Sequence, residues 1–110
     1  MKTRTANLSR LFKALSDENR LRILLSIRRD DYRCESAQRR CRNETCIKEL
    51  AKSLRITVPT VSHHVKQLIN AGLITTRKDG RWVYCRINQE AFDEAREFLG
   101  GFPSNRGRKR

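Results

Sequence analysis

The chain has 110 residues, which is the length of one ordinary domain. Its 25 lysines and arginines outnumber its 12 aspartates and glutamates, so the formal net charge is +13 at pH 7. This surplus indicates a polyanionic partner, either nucleic acid or an acidic membrane surface, and the composition as a whole favours nucleic acid. No apolar run is long enough for a transmembrane helix, and the N-terminus lacks the apolar stretch of a signal peptide. We therefore expect a cytoplasmic protein that does not enter a membrane.

Apolar residues recur at helical spacing near the N-terminus. The spacing predicts a first helix over residues 5–15. A second helix follows, with Ser16 or Asp17 as its N-cap, because their side-chain oxygens accept hydrogen bonds from the free N–H groups of the first turn. The residues expected to face inward in these two helices are Leu8, Leu11, Phe12, Leu15, Leu21, Leu24, Leu25 and Ile27.

The periodicity disappears over residues 30–45, where charged residues dominate and two of the four cysteines lie. We expect a loop here, and a loop of this length in a compact domain is usually either functional or disordered. Two short helices are predicted next, over 46–54 and 58–70, with Thr57 as the cap of the second and Pro59 in its first turn. Their expected inward residues are Ile47, Leu50, Ala51, Leu54, Val58, Val61, Val65 and Leu68.

A hairpin and a final helix complete the predicted elements. Two β-rich runs, 73–78 and 81–87, are joined through Asp79-Gly80, which is a strong hairpin signal. The last helix is expected to begin after an Asn88 cap, to run through about Leu99, and to stop at Gly100-Gly101. We predict one domain over residues 1–99 and a basic, disordered tail over 100–110.

Two helices joined by a short turn, with a hairpin behind them, are typical of a winged helix-turn-helix. The predicted fold class is mainly α with a two-stranded β-wing. The second helix would enter the DNA major groove with side chains that reach phosphates and base edges, although an ordinary solvated surface helix is the alternative. The candidate DNA-contacting residues are Thr60, Ser62, His63, Lys66 and Gln67 on the helix and Arg77, Lys78 and Arg81 on the hairpin.

Several segments carry a resemblance to a known family. They are FKALSDENRLRIL (12–24), ELA (49–51), TVSHHVKQL (60–68), AGLI (71–74) and DGRWVY (79–84). Over roughly residues 5–99 the chain resembles the ArsR/SmtB family of bacterial metal-sensing repressors. The resemblance implies a homodimer built largely from the first and last helices. It also implies that the dimer binds a palindromic operator and leaves it when a ligand binds.

The cysteines bear on the identity of that ligand. In relatives that sense arsenic or soft metals, the resemblance implies a Cys-Val-Cys-type element at the start of the helix before the recognition helix. Here Cys46 matches its first cysteine, whereas Lys48 replaces the second. The preceding loop supplies Cys34 and Cys41, in a C-x6-C-x4-C spacing with Cys46. Three soft thiolates suit As(III) or Sb(III), or a soft metal such as Cd(II), Pb(II) or Hg(II), as the inducer.

Other interpretations of the same residues stay open. A thiol-based redox or persulfide-sensing repressor of the same fold would bridge two of the three cysteines. The two loop cysteines would be incidental if they neither bound a soft ion nor formed such a bridge. A DNA-compacting protein would also suit the charge, and sequence-independent binding would distinguish it. We do not expect an enzyme, because no nucleophile–base set, paired acid motif or phosphate loop stands out.

The remaining metal-ligand residue types have simpler interpretations. Strand alternation places Cys85 on one face with Val83 and Ile87, where it would be a small buried hydrophobe. His63 is expected to face DNA, and His64 to pack toward the bracing helix 46–54, because adjacent helical residues point about 100° apart. The last helix has no histidine, so its carboxylates are expected to form a solvated charged face and no zinc or nickel site. These carboxylates are Glu90, Asp93, Glu94 and Glu97.

Overall fold

The computed structural model describes residues 2–28 and 44–103. Most of the predicted loop, with Cys34 and Cys41, lies outside these residues, as does the tail from residue 104. The described elements are α1 (Lys2–Ala14), α2 (Glu18–Arg28), β1 (Glu44–Cys46), α3 (Ile47–Leu54), α4 (Val58–Asn70), β2 (Ile74–Asp79), β3 (Trp82–Ile87) and α5 (Gln89–Gly100). None of the helices in these two stretches is long and apolar enough to span a bilayer.

The wing is a three-stranded antiparallel sheet in the order β1-β3-β2. The sequence predicted the hairpin of β2 and β3. It did not predict β1, the third strand of the sheet. Residues 44 and 45, expected in the loop, pair with β3, with Thr45 opposite Cys85 and Cys46 opposite Tyr84. A strand of three residues is too short to show alternation in the sequence, and it exists because β3 offers it a ladder of backbone hydrogen bonds.

The hairpin turn is displaced by one residue from the predicted position. Asp79 pairs with Trp82, so the two turn residues are Gly80 and Arg81. Gly80 has a φ of 63°, the positive value that the first position of a two-residue hairpin turn of type II′ requires.

Side-chain caps fix the helix boundaries. The Asp17 carboxylate accepts the Arg20 N–H at 3.0 Å, so Asp17 is the cap of α2, whereas the Ser16 hydroxyl donates to the Lys13 carbonyl. Thr57 caps α4 as predicted, because its Oγ1 accepts the Thr60 N–H at 3.3 Å. Asn88 is the N-cap residue of α5 as predicted, but its side chain makes no capping hydrogen bond.

The Asn88 side chain instead joins α5 to the segment that leads into the wing. Its Nδ2 donates to the Gly72 carbonyl at 2.7 Å, and its backbone N–H donates to the Leu73 carbonyl at 2.9 Å. The side-chain bond directs the Asn88 amide toward Gly72, and the described structure has no hydrogen bond from this amide to the first turn of α5. At the other end, α5 includes Gly100, one residue beyond the predicted end.

The core lies between the helices and one face of the sheet. Its buried members include Leu11, Ile23, Leu24, Ile27, Leu50, Ala51, Leu54, Val61, Val65, Leu68, Leu73, Ile74, Cys85 and Ala95. Three predicted core residues are exposed, namely Leu21 at 42%, Leu25 at 49% and Val58 at 42%. The inward face of α2 is rotated, so that the unpredicted Ile23 is fully buried.

Leu21 and Leu25 are not scattered surface residues. They line an open groove of about 680 Å³ between α2, β3 and α5, together with Ile87 and Phe92. Farther along α5, the Phe98 ring packs at a tilt of 54° against the Phe12 ring of α1, with ring centroids 5.8 Å apart. The two terminal helices therefore pack together and leave apolar surface uncovered beside them.

Packing predicts a large difference between two neighbouring positions of α4. Leu68 is fully buried, whereas Ile69 is 40% exposed. Leu68→Ala is expected to lower the free energy of unfolding by about 2–5 kcal/mol, because it leaves a cavity. Ile69→Ala should cost less than half as much, since part of its surface already contacts water. Urea unfolding at one protein concentration measures both values, and equal losses would contradict this orientation of α4.

Candidate DNA interface and cysteine site

Helix α4 presents a polar face away from the core. Ser62, His63 and Lys66 are exposed, as predicted for groove contact. Thr60 and Gln67 are half-buried. The Thr60 hydroxyl also shares a 2.8 Å hydrogen bond with the Thr57 hydroxyl, so it helps to fix the start of α4.

The three wing cations predicted to contact DNA lie in two different environments. Lys78 and Arg81 are exposed near the turn. Arg77 is half-buried, and its guanidinium carbon lies 4.7 Å from the centroid of the Tyr84 ring. An Arg77 nitrogen also lies 3.8 Å from an Asp79 carboxylate oxygen. The sequence predicted Arg77 as a DNA contact on the hairpin, and it did not predict that the pairing of β2 with β3 places Arg77 over an aromatic ring.

His64 connects α4 to the corner between α1 and α2. Its side chain is 14% exposed, and its Nδ1 lies 3.8 Å from Asp17 Oδ2, beyond hydrogen-bond distance. This contact with the α2 cap was not predicted, since we expected His64 to pack toward α3. The rings of His63 and His64 have centroids 5.7 Å apart and diverge by 64°. In residues 2–28 and 44–103, no group of three histidine, cysteine or carboxylate side chains could hold a metal ion.

The pKa of Asp17 is lowered from its ordinary value. The main cause is the hydrogen bond from the Arg20 backbone N–H, which stabilises the carboxylate. Desolvation opposes it, and the charges of His64 and Arg20 add to it. Asp17 thus holds negative charge at the N-terminus of α2, where the helix dipole also favours it.

Cys46 occupies a junction between two elements. It is the last residue of β1 and the N-cap of α3, and it is only 1% exposed. Two residues later, the Lys48 ammonium lies 5.5 Å from the centroid of the Trp82 ring on β3. The residue that replaces the expected second cysteine thus contacts the wing.

Cys85 is buried in the core, as predicted. It lies directly opposite Thr45 on β1, one position from the pair formed by Cys46 and Tyr84. Because successive side chains of a strand point to opposite faces, Cys46 and Cys85 lie on opposite faces of the sheet. Tyr84 is fully buried as well, so both faces of β3 are covered at this point.

The carboxylates of α5 are on a solvated face, as expected. Glu90, Asp93, Glu94 and Glu97 are all exposed. Asp93 accepts hydrogen bonds from Arg96 at 2.9 Å and from Gln89 at 3.1 Å, which are local contacts along the helix.

The arrangement of a bracing helix, a turn, an outward polar helix and a β-wing defines a winged helix-turn-helix protein. Solved structures share it. The ArsR-like transcriptional regulator from Rhodococcus sp. RHA1 has a TM-score of 0.67 at 27% identity, over 87% of this chain and 81% of that chain. The homodimeric winged helix-turn-helix DNA-binding domain from Mycobacterium bovis has a TM-score of 0.65 at 26% identity, over 86% of this chain and 74% of that chain.

Sequence comparison gives the family. The bacterial regulatory protein family arsR matches residues 41–76. The arsenical resistance operon repressor of Staphylococcus aureus is 36% identical over 87 residues, which are 79% of this chain and 71% of that protein. The chain therefore belongs to the ArsR family of bacterial regulatory proteins. This membership confirms the predicted resemblance and fold class, and the family is one of regulators, not of enzymes.

Two further relatives differ in the resistance for which they are named. The arsenic resistance transcriptional regulator ArsR1 of Pseudomonas putida is 35% identical over 80 residues, 73% of this chain and 53% of that protein. The cadmium resistance transcriptional regulatory protein CadC of Listeria innocua is also 35% identical over 80 residues, 73% of this chain and 57% of that protein. This chain thus spans little more than half the length of these two relatives.

The Asp17 carboxylate predicts a pH dependence of stability. Since its pKa is lower in the folded than in the unfolded state, its stabilisation is complete above the unfolded pKa and is lost as pH falls through the folded pKa. Asp17→Asn should therefore be less stable than wild type at neutral pH, and this difference should shrink as the solution is acidified. Thermal unfolding across pH measures it. Glu97→Gln, an exposed change of the same charge, is the control, and an equal pH dependence in both variants would contradict the role of Asp17.

Proposed function

We propose that this protein is a homodimeric transcriptional repressor that binds operator DNA through α4 and the wing. It releases the operator when a thiophilic inducer binds its cysteines. The observation that carries the proposal is the exposed face of Ser62, His63 and Lys66 beside the wing cations Lys78 and Arg81. This surface belongs to a chain with a net charge of +13 and to a family of regulators.

The DNA contacts divide by chemistry. Ser62 and His63 have short polar groups suited to base edges in the major groove, and Lys66 suits a phosphate. Half-buried Thr60 and Gln67 lie at the margins of this surface and position it against the sugar–phosphate backbone. On the wing, Arg77, Lys78 and Arg81 bind phosphates beside the groove, and such contacts add affinity without sequence information.

Dimerisation places two recognition helices on one palindromic operator. Phe98, Leu99 and Phe102 are exposed by 36%, 59% and 61%, and the Phe98 ring contacts the ring of Phe12 at a tilt and the ring of Phe102 edge to face. A second copy packed along α1 and α5 would remove this apolar surface from water. The related Mycobacterium bovis domain is described as homodimeric, which supports the same assembly here.

The inducer is a soft metal or metalloid held by Cys34, Cys41 and Cys46. Relatives are named for resistance to arsenic and to cadmium, and thiolates are the donors that both prefer. With arsenite, each S–As bond forms with loss of one water, made from the thiol proton and an arsenite hydroxide. Because Cys46 is 1% exposed, its sulfur is reached only after the groups that cover it move. Inducer binding therefore favours a conformation other than the one described, which is the condition for a shift in DNA affinity.

Substitutions on α4 and on the wing should affect DNA binding differently. Ser62→Ala and His63→Ala are expected to weaken binding to an operator selected from a random library while leaving random-sequence binding nearly unchanged. Arg81→Ala should weaken both, because a phosphate contact carries little sequence information. Fluorescence anisotropy at one fixed salt concentration measures the affinities. Equal wild-type affinity for selected and random duplexes would overturn the repressor proposal and favour a DNA-compacting protein.

Cysteine substitutions test the inducer site. Cys34→Ser, Cys41→Ser and Cys46→Ser should each abolish release of operator by arsenite or Cd(II) and retain DNA affinity, since serine replaces a soft thiolate with a hard, neutral oxygen. Cys85→Ser is the control and should still respond, because Cys85 lies in the core on the other face of the sheet. Titration of operator-bound protein measures release.

The same titration separates the metal site from a thiol switch. A three-sulfur site works in the presence of a strong reductant, whereas a disulfide or persulfide switch needs two cysteines and is silenced by reductant. If Cys34→Ser and Cys41→Ser both respond at wild-type inducer concentrations, the loop cysteines are incidental and the three-thiolate site is wrong.

A further inference from the structure

Three residues from the three strands form one row across the wing. Cys46 on β1 lies directly opposite Tyr84 on β3, and Tyr84 lies directly opposite Arg77 on β2. Directly opposed residues of antiparallel strands project to the same face with Cβ atoms about 4.5–5.5 Å apart. The row therefore runs from the proposed inducer-binding cysteine to a proposed DNA-contacting arginine.

The row passes from the interior to the surface. Cys46 is 1% exposed and Tyr84 is fully buried, whereas the Arg77 side chain is 38% exposed. Among the described residues, the main core cluster contains Cys85 from the other face of β3 and neither Cys46 nor Tyr84. The buried part of the row is thus separate from the main core, and its packing can change without opening that core.

The Arg77 guanidinium lies over the Tyr84 ring, with its carbon 4.7 Å from the ring centroid, and one of its nitrogens lies 3.8 Å from the Asp79 carboxylate. A cation held over an aromatic face loses that attraction when the ring moves. The neighbouring Lys78 lies opposite Val83 on the other face of the sheet, so it has no place in the row. The wing therefore has one cation whose position depends on Tyr84 and an adjacent one whose position does not.

We propose that Tyr84 is a positioning residue that couples the packing of Cys46 to the DNA contact of Arg77. Protein interiors are close-packed, so a larger or displaced group at Cys46 has no free space beside Tyr84 and shifts its ring. The shift takes the guanidinium away from the position in which it meets a phosphate. The inference rests on the proposed function, because it explains how a change at Cys46 reaches the DNA-binding surface.

The coupling can be tested without an inducer. Cys46→Met enlarges the buried side chain, Tyr84→Leu removes the ring face, and Arg77→Ala removes the cation. Each is expected to weaken binding to a labelled duplex of random sequence, and Tyr84→Leu by about two- to fivefold, the factor that a cation–π contact at an exposed site supplies. Folding of each variant is checked by circular dichroism and thermal unfolding.

The decisive measurement is a pair of double-mutant cycles on the full-length protein. Combined with Arg77→Ala, neither Cys46→Met nor Tyr84→Leu should weaken binding further, because the contact they disturb is already absent. When Cys46→Met or Tyr84→Leu is combined with Lys78→Ala, the loss of DNA affinity in the double variant should equal the product of the two single losses. Tyr84→Phe keeps the ring, so the effect of Arg77→Ala should be as large in it as in wild type. If Tyr84→Leu prevents folding, the Cys46→Met cycle alone tests the coupling from Cys46 to Arg77. If Cys46→Met prevents folding, Cys46→Val, a smaller enlargement of the same side chain, replaces it in the cycle.

The outcomes distinguish this inference from the proposed function. The coupling through Tyr84 would be overturned if the losses of DNA affinity multiplied with Arg77→Ala as fully as they do with Lys78→Ala. The cycles use a duplex of random sequence, so they remain informative even if the wild type binds all sequences equally well. Equal binding of all sequences would overturn the repressor proposal and leave the coupling through Tyr84 standing. A wild type that binds no duplex would overturn both.

Discussion

The pairing of β1 with β3 is the contact on which the arrangement of the candidate sites depends. Glu44, Thr45 and Cys46 have too little length to form a stable strand alone, and the backbone ladder with Tyr84, Cys85 and Arg86 holds them in place. Since α3 begins at the next residue, the same ladder sets where the bracing helix starts. One short strand therefore ties the cysteine segment, the bracing helix and the wing into a single unit.

Helix α4 is held from two directions. Val61, Val65 and Leu68 bury one side of α4 in the core, and His64 brings the same helix to the Asp17 cap of α2. Because the opposite side of α4 is buried, the polar face with Ser62 and His63 is exposed to solvent. Because α4 is fixed to α2 as well as to α3, a change in the orientation of the bracing helix alone would disturb contacts at two places. In the proposed function, a small local displacement of α3 would therefore alter how the polar face of α4 is presented.

The cysteine site departs from the pattern implied by the family resemblance. Lys48 stands where a second cysteine was expected, and its ammonium lies over the ring of Trp82. A cation–π contact between α3 and the wing thus occupies the place of a thiolate. Trivalent arsenic and soft metals still require several sulfurs, so the departure shifts the remaining donors to Cys34 and Cys41 in the proposed site.

The sequence by itself determined the elements whose signals are local. Apolar spacing, the Thr57 cap and the Asp79-Gly80 step predict α4 and the hairpin, and charge with side-chain type predicts the polar face around Ser62. Alternation also predicts a buried Cys85. These features depend on neighbours within a few residues, so they can be inferred without knowing the fold.

Only the tertiary structure decided which of these residues meet. The strand at Glu44–Cys46 has no pattern of its own, because its hydrogen bonds come from β3, some forty residues later in the chain. Arg77 was predicted as a DNA contact on the hairpin, but its position over Tyr84 was not predicted, because the sequence does not display the strand register that selects its cross-strand neighbour. Leu21 and Leu25 lie in a groove, because the rotation of α2 depends on what packs against it. The row from Cys46 to Arg77 exists for the same reason, as its members are adjacent across strands and remote in sequence.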